Sequence, residues 1–465
     1  MKVLVFIDHD IICRHFVTSG VLAPLVQNAE TKFVFPGDSG RRVTVDPATL
    51  PLGAPWLRMP IDVTRQQIWR WRLYADQLKL RHGDHEAALR AFRWRSIGWK
   101  AGLLLTLAGL PGLERIFMHW TAAKLAARPN RALADLLDRE RPDVVIHPSV
   151  LEGFFINDVI DECTRREIPS VVVMNSWDNP STKRAVVGHP DWLIVWGPHT
   201  RDHAIRFIGV RPERTIAFGA AQFDVFREPP RQDRATLCRQ YGFDPAHPVL
   251  LYAGANTQTD EFATMQALDL AITRGALPRF NVIYRPHPWG GAGASGERFL
   301  GHRFDNVRID ETMRDLLEQV ARGKKATITL PDYRDAHDLL SSVDIVVSPL
   351  STIVVEATLH AKPVICFFPE KRDVVTQNIN AVPLYHFDEF FALPDVVVAR
   401  SDDSLHAALR DLAIPGEIAA RGVRLKKAAA RFVATFDRPW GERFVSFIET
   451  AVKAGHARRR AAVRG

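Results

Sequence analysis

Residues 344–368 read Asp344-Ile-Val-Val-Ser-Pro-Leu-Ser-Thr-Ile-Val-Val-Glu-Ala-Thr-Leu-His-Ala-Lys-Pro-Val-Ile-Cys-Phe-Phe368 and carry, in order, the signals of a strand, a tight turn, a helix and a second strand. The run at 345–347 is β-branched and apolar, as a strand buried on both faces requires. Turn and helix-capping residues follow it: Ser348, Pro349, Ser351 and Thr352. Residues 353–360 fit a helix of about two turns, which the Lys-Pro pair at 362–363 ends. The stretch therefore predicts one unit of a parallel α/β sheet.

The start of that helix has the chemistry of a phosphate site. Free backbone N–H groups at a helix start attract anions, and Ser348, Ser351 and Thr352 add hydroxyl groups. Glu356 lies about a turn and a half beyond the cap, where a carboxylate can accept hydrogen bonds from a ribose. The segment is therefore equipped to hold a nucleotide diphosphate, although many strand-to-helix turns with this pattern bind nothing.

Size and composition point to a two-domain globular protein. The chain has 465 residues, of which 46% are hydrophobic and 25% charged. Its four cysteines are far apart in sequence, which argues against a disulfide framework or a zinc site and fits a reducing cytoplasm. The first residues enter a strand directly and lack the layout of a signal peptide. We therefore expect a cytoplasmic protein.

The net charge of +8 is partly concentrated in a segment where basic residues alternate with tryptophan. The segment begins with Trp69-Arg70-Trp71-Arg72, and an apolar run at 101–110 follows it. That run is shorter than the roughly 20 residues needed to cross a bilayer. It suits a helix on an anionic membrane surface, peripheral to the membrane, and equally a buried helix with basic flanks. Nucleic-acid binding is less well supported because the sequence contains no recognised nucleic-acid module.

Short strands alternate with helical patterns in both halves of the chain, which predicts an α/β fold of two mainly parallel sheets with helices on both faces. We expect a first domain at 1–225 with a helical, Trp- and Arg-rich insertion at about 63–124. A polar linker with two prolines leads into a second domain at 226–438. The final segment, 439–465, is a helix with a basic tail and is expected to pack back on the first domain. Ligands of such sheets bind beyond the carboxyl ends of the strands, so the expected site is the cleft between the domains.

Two further loops of the second domain follow predicted strands. In the first, Gly254 permits close approach of a ligand to the backbone, and Asn256 and Thr257 offer hydrogen bonds. In the second, Arg285-Pro-His-Pro, Arg285 can hold phosphate oxygens and His287 can donate to a phosphate or transfer a proton. Ordinary turns and a structural histidine are the alternatives.

The first domain offers candidate acid–base groups. Asp8 and His9 follow its first strand, where either can take a proton from an acceptor hydroxyl, although a helix cap made by Asp10 explains the pattern as well. Asp178 lies in the polar loop 175–183, in which an exposed Trp177 is expected to stack on a sugar or base. The P-loop, HExxH and GxSxG motifs do not occur, so the chemistry of P-loop NTPases, zincins and α/β-hydrolases is excluded.

Together these residues resemble the GT-B glycosyltransferase superfamily, and most of all bacterial surface- and capsule-polysaccharide enzymes, including the CDP-glycerol glycerophosphotransferase-like group. The resemblance rests on Arg285-Pro-His-Pro, Ser348-Pro-Leu-Ser-Thr, Glu356-Ala and Lys362-Pro-Val. It covers mainly residues 248–368 and is thin before 140.

The resemblance implies two Rossmann-like domains facing a cleft, with a nucleotide sugar bound by the second and a glycan or lipid-linked acceptor bound by the first. It also implies that Ser351, Thr352 and Glu356 hold diphosphate and ribose, that Arg285 and His287 face the diphosphate, and that no metal or other cofactor is needed. We expect an inverting transferase with Asp8 or His9 as base, because a second glutamate at the spacing of retaining enzymes is not evident. A CDP-polyol phosphotransferase, a nucleotide-sugar 2-epimerase and a catalytically silent binding protein remain as alternatives.

Overall fold

The structure is a computed structural model that describes residues 1–37, 46–78, 99–108, 110, 112–149, 153–182, 186–254, 260–287, 296–322, 332–369 and 385–464. The chain forms two compact units. The first unit holds the described residues of Met1–Asp224, Pro383–His386 and Arg431–Gly465, and the second holds those of Val225–Val382 and Phe387–Ala430.

The strands of the described chain are β1 (Lys2–Phe6), β2 (Glu30–Pro36), β3 (Trp56–Met59), β4 (Val144–His147), β5 (Ser170–Val173), β6 (Trp192–Val195), β7 (Thr215–Ala217), β8 (Val249–Ala253), β9 (Asn281–Arg285), β10 (Val307–Ile309), β11 (Ile345–Ser348), β12 (Val364–Phe367) and β13 (Val396–Ala399).

The α-helices are α1 (Asp10–Ile12), α2 (Ala23–Asn28), α3 (Val63–Leu78), α4 (Trp99–Ala108), α5 (Leu113–Ala126), α6 (Arg131–Glu140), α7 (Ile156–Arg165), α8 (Asn179–Thr182), α9 (Pro198–His203), α10 (Arg234–Tyr241), α11 (Glu261–Thr273), α12 (Gly296–Gly301), α13 (Arg314–Ala321), α14 (Tyr333–Ser342), α15 (Ile353–Leu359), α16 (Tyr385–Phe391), α17 (Asp402–Leu412), α18 (Glu417–Ala429) and α19 (Trp440–Arg464).

The first unit is built on a seven-stranded sheet in the order β3-β2-β1-β4-β5-β6-β7, with every neighbouring pair parallel. Its central strands are continuous apolar runs such as Val3–Phe6 and Val144–Ile146, because helices cover both faces of the sheet. The order reverses near the centre of the sheet, between the neighbouring strands β1 and β4. From β1 the chain continues to β2 on one side, and from β4 it continues to β5 on the other.

The C-terminal helix α19 packs on this first sheet, as the sequence predicts. Trp440, Phe444 and Ile448 lie one or two helical turns apart, on one side of the helix. They belong to the same buried cluster as Phe16. The indole N–H of Trp440 donates to the carbonyl oxygen of Gly219 at 3.3 Å. The end of the chain thereby completes the core of the first unit.

The second unit contains a six-stranded, fully parallel sheet in the order β10-β9-β8-β11-β12-β13. Aspartate side chains cap several of its helices, including Asp260 before α11 and Asp332 before α14. Two parallel sheets flanked by helices confirm the predicted α/β two-domain architecture.

Differences in detail have local causes. The sequence did not predict β3 or β10, which are edge strands of three or four residues with polar residues in them. The apolar run at 326–330 predicts a further strand of the second domain, but it lies outside the described residues. The sequence pattern predicts that the last helix spans 439–455 and that the basic tail follows it. In the structure the helix includes the tail and continues to Arg464, because there is no glycine or proline between 456 and 464.

Three described helices, α3, α4 and α5, lie in the segment predicted as a helical insertion, and a buried ion pair fixes α3 to another helix of the first unit. Arg65 of α3 and Asp158 of α7 are almost fully buried, with Nη2 and Oδ1 2.6 Å apart. Trp69 and Asn130 also donate to the Asp158 carboxylate, at 2.6 and 2.8 Å. Among the residues that the structure describes, none of the helices is both long and apolar enough to cross a membrane.

Candidate functional site

The centre of the second sheet is a topological reversal. β8 and β11 are neighbours there, and the chain continues from β8 to β9 on one side and from β11 to β12 on the other. Open parallel sheets bind ligands beyond the carboxyl ends of the strands at such a point. The buried Ser348 hydroxyl donates to the carbonyl oxygen of Ala253 at 2.7 Å and ties the two strand ends together. Ser348, a predicted ligand contact, thus has a structural bond at the reversal.

Gly254 follows β8, and the space beside it is filled by Glu261. A β-carbon at Gly254 would lie 2.5 Å from Glu261 Oε2. The Gly254 N–H donates to the carbonyl oxygen of Arg285 at 2.8 Å and extends the ladder between β8 and β9. The sequence predicts that a ligand comes close to the backbone at this glycine. In the structure the Glu261 side chain lies there. Asn256 and Thr257 lie outside the described residues.

Glu261 is a buried carboxylate that the sequence analysis did not single out. It is the first residue of α11, and the Tyr284 hydroxyl donates to its Oε2 at 2.6 Å. Burial, together with the charge of Glu261, raises the pKa of Tyr284, so the phenol keeps its proton and remains a donor. The sequence signal was available: an acidic pair, Asp260-Glu261, closes a loop that follows a central strand.

Ser351, Thr352 and Glu356 remain half-buried. Thr352 is the residue before α15, and Glu356 is the fourth residue of that helix. Val354, Val355 and Ala357 are buried, so the helix is held against the sheet by its apolar face. The half-buried polar residues consequently lie at the boundary between the packed helix and solvent.

Arg285 ends β9 and has a carboxylate partner. Its guanidinium Nη1 lies 3.1 Å from Asp310 Oδ2, and both side chains are buried. Asp310 also accepts hydrogen bonds from the backbone N–H and the hydroxyl of Thr312 through Oδ1. The charge of Arg285 is therefore balanced within the unit. His287, two residues further on, is half-buried.

These predicted residues share one edge of the second sheet. Ala253 is in register with Arg285 across β8 and β9, and Val347 is in register with Tyr252 across β11 and β8. Because all three strands are parallel, the residues that follow them emerge at the same edge. The structure thus gathers the end of β9, Gly254 and the β11–α15 turn, which the sequence places up to about a hundred residues apart.

A histidine pair that the sequence did not indicate supports Glu356. His360 Nδ1 donates to the Glu356 carbonyl oxygen at 2.7 Å, and His360 Nε2 lies 2.8 Å from His337 Nδ1. Burial lowers the pKa of His360 to about 4, against the opposing effect of that carbonyl. These contacts hold the backbone at the end of α15, the helix that carries Glu356.

In the first unit, Asp8 lies at the reversal between β1 and β4. It is buried, accepts a hydrogen bond from the Phe154 N–H at 3.0 Å, and has Oδ2 3.4 Å from His147 Nε2. Burial by itself raises the pKa of Asp8, but His147 and the Phe154 N–H hold it below its usual value. Asp8 is therefore an ionised carboxylate at the carboxyl edge of the first sheet.

His9, rather than Asp10, caps the first helix. Its Nδ1 accepts from the Ile11 N–H at 3.1 Å, and Asp10 is the first residue of α1. An Nδ1 that accepts a hydrogen bond leaves the proton of a neutral imidazole on Nε2. In this arrangement His9 presents a donor, whereas Asp8 presents an acceptor.

The loop with Trp177 and Asp178 differs from the prediction in exposure. Trp177 is only 1% exposed and packs edge-on against His386 and Phe432, with ring centroids 4.9 and 5.8 Å away. The expectation of an exposed tryptophan was wrong, because later segments of the chain, which sequence position alone does not bring near, cover the loop. Asp178 is also buried and accepts a hydrogen bond from the side-chain amide of Asn179.

No protein-family profile matches the sequence, and no curated protein matches it significantly. Solved structures do match its fold. UDP-N-acetylglucosamine 2-epimerase from Rickettsia bellii aligns with a TM-score of 0.51 over 98% of this chain and 97% of its own, at 12% identity. A Listeria monocytogenes protein assigned as a UDP-N-acetylglucosamine 2-epimerase aligns with a TM-score of 0.54 over 97% of each chain, at 12% identity.

The chain has the GT-B fold. Staphylococcus aureus MnaA, solved with UDP, also aligns with the whole chain, with a TM-score of 0.51 over 97% of each chain at 11% identity. At such identities the match establishes the GT-B architecture and leaves donor, acceptor and reaction to be argued from the residues.

Proposed function

We propose that this chain is a GT-B glycosyltransferase that transfers a sugar from a nucleotide-activated donor to a cell-surface glycan or a lipid-linked acceptor. One observation carries the proposal. At the reversal of the second sheet, half-buried polar side chains follow the two strands that flank β8, all at one edge of the sheet. His287 comes after β9, and Ser351, Thr352 and Glu356 come after β11. That edge is where parallel α/β sheets hold nucleotides.

In this proposal the second unit binds the donor. The Glu356 carboxylate accepts hydrogen bonds from ribose hydroxyls, and the Ser351 and Thr352 hydroxyls donate to the diphosphate. His287 donates to the diphosphate as its bond to the sugar breaks and negative charge develops on it. Because Asp310 balances the charge of Arg285, Arg285 serves mainly to position the β9 end, and its remaining N–H groups are available to a phosphate oxygen.

The first unit binds the acceptor, and Asp8 is the base. The ionised carboxylate accepts the proton of the acceptor hydroxyl as the oxygen attacks the anomeric carbon and the nucleotide diphosphate leaves. One displacement of this kind inverts the anomeric configuration. His9, with its proton on Nε2, orients the acceptor as a hydrogen-bond donor. The role of Asp178 in this reaction is a contact with the acceptor.

A nucleotide-sugar 2-epimerase is the second candidate. The solved structures that match the whole chain with TM-scores above 0.5 include proteins with that name. In an epimerase the product is a stereoisomer of the donor, and no second substrate is consumed. The two candidates therefore share the nucleotide site and differ in the product.

A donor panel followed by product analysis tests the proposal. UDP-, GDP-, CDP- and CMP-linked donors are added to the full chain, and a donor that binds the native state raises the unfolding midpoint. NMR of the best donor then distinguishes the reactions. A released nucleotide, the diphosphate or, from a CMP-linked donor, CMP, indicates transfer or hydrolysis, and a new sugar stereoisomer indicates epimerisation. The absence of any midpoint shift across the panel refutes both candidates and favours a silent binding protein.

A further inference from the structure

The helical insertion of the first unit presents an apolar face to solvent. The face consists of six large side chains on α4 and α5 that are between 42% and 67% exposed: Trp99, Leu103, Leu107, Leu113, Ile116 and Trp120. On each helix they recur every three or four residues, which places the three side chains of that helix in one stripe along it. Scattered single apolar residues are ordinary on protein surfaces, whereas a contiguous set marks an interaction site.

The stripe on α5 is distinct from the side by which that helix packs. Thr121 and Leu125 are buried, and at about 100° per residue they lie more than a quarter of a turn from the middle of the stripe. On the packed side, the Arg72 guanidinium of α3 donates to the carbonyl oxygen of Met118 at 3.2 Å. Trp120 lies at the margin of the stripe: Trp71 stacks on it with ring centroids 6.2 Å apart, and 42% of its surface stays exposed. The helix α5 therefore packs on α3, and the Arg65–Asp158 ion pair anchors α3 to α7 of the first unit.

The insertion also carries most of the net charge of the protein. Between residues 63 and 126 there are 11 lysines and arginines and four acidic residues, a net charge of +7 in a chain whose net charge is +8. The same segment holds five of the 11 tryptophans. Arg115 and Lys124 are exposed on α5, and Lys124 Nζ lies 5.8 Å from the Trp120 ring.

We propose that the apolar face docks on the surface of an anionic lipid bilayer. Charge complementarity selects this occupant: the net positive charge of the segment, with Arg115 and Lys124 exposed beside tryptophan and leucine side chains, matches acidic headgroups above an apolar interior. Tryptophan prefers the boundary between headgroups and acyl chains. The helices lie along the surface, with their apolar stripes inserted and Arg115 and Lys124 at headgroup level. The proposal holds whichever reaction the nucleotide site performs.

Vesicle sedimentation with the full chain tests this proposal. We expect binding to vesicles that contain phosphatidylglycerol, weak binding to pure phosphatidylcholine, and weakening of the first by salt. Ile116→Asp places a charge in the centre of the α5 stripe and is expected to weaken binding about tenfold or more. Arg115→Glu with Lys124→Glu is expected to abolish the preference for the anionic lipid.

Val423→Asp is the matched control, because Val423 of the second unit is as exposed as Ile116, at 66% each. It is expected to bind vesicles like the wild type. Since both sites are exposed, all variants should unfold at the wild-type midpoint. The proposal is overturned if the wild type ignores anionic vesicles or if Ile116→Asp binds them normally. It is also overturned if Ile116→Asp only converts a dimer to a monomer, because the face then covers a second copy of the chain.

Discussion

Gly153 lies against the carboxylate of Asp8, so that a β-carbon at Gly153 would stand 1.8 Å from Asp8 Oδ2. The next residue but one in the loop, Phe155, is buried, and the Phe154 N–H donates to the same oxygen. Residues 153–155 thus lie against the segment that follows β1. A side chain at Gly153 is incompatible with the position of Asp8.

Gly153→Ala is therefore expected to lower the free energy of unfolding by about 1–3 kcal/mol, the usual cost of forcing atoms into a packed site. Denaturant unfolding measures this change. Gly301→Ala is the control, because a β-carbon there meets no atom within 4 Å and the residue is helical. Equal stability of the two variants would show that the residues around Gly153 and Asp8 rearrange without a loss of stability.

Asp8→Asn tests the proposed base separately from the fold. Asparagine keeps an oxygen for the Phe154 N–H but cannot take a proton, so we expect donor turnover to fall about 10²–10⁴-fold while donor affinity is unchanged. Steady-state kinetics and a binding titration give the two numbers. The same change at the neighbouring Asp10 should leave turnover near that of the wild type. Full activity of Asp8→Asn would remove Asp8 as the base.

The buried His199 predicts a loss of stability in acid. Neither of its ring nitrogens has a hydrogen-bond partner among the described residues. Burial, assisted by His203, His386 and Arg431, lowers its pKa to about 2. Below about pH 6.5 the unfolded chain therefore binds a proton at this residue, whereas the folded chain does not. As the pH decreases, the free energy of unfolding falls by up to roughly 1.4 kcal/mol per pH unit for this group.

His199→Leu should remove that component. The difference in unfolding free energy between variant and wild type is expected to move in favour of the variant as the pH falls from about 7 to about 5. Urea unfolding across this range measures it. A difference that stays constant with pH would mean that His199 accepts a proton in the folded protein.

Arg65→Met is expected to destabilise the first unit by roughly 3–5 kcal/mol, because it leaves Asp158 buried without its cation. Arg424→Met is the matched change in an exposed ion pair with Asp395 and should cost less than about 1 kcal/mol. Chemical unfolding of both variants checks the contrast. Similar costs would indicate that water reaches Asp158.

The sequence predicted the sheets well because each buried parallel strand is a short, continuous apolar run between turn signals, as at 345–348 and 249–253. It placed the β11–α15 turn and the end of β9 correctly because strand ends carry their loops to a known edge. It failed where contacts between distant segments decide. Trp177 looked exposed because Phe432 and His386 are more than two hundred residues away, and Arg285 looked free because Asp310 follows a strand that was not predicted.

We propose that a nucleotide diphosphate binds at the carboxyl edge of the second sheet, with Glu356 on the ribose. Calorimetric titration of UDP, GDP and CDP into the wild type, Glu356→Gln and Glu417→Gln tests it most directly. Glu417 is half-buried in the same unit and pairs with Arg421, so it is the control. We predict saturable one-to-one binding of at least one nucleotide, weakened roughly tenfold or more by Glu356→Gln alone. Binding that all three proteins share equally would show that Glu356 does not contact the nucleotide, and the absence of binding to the wild type would rule out a nucleotide site in the protein.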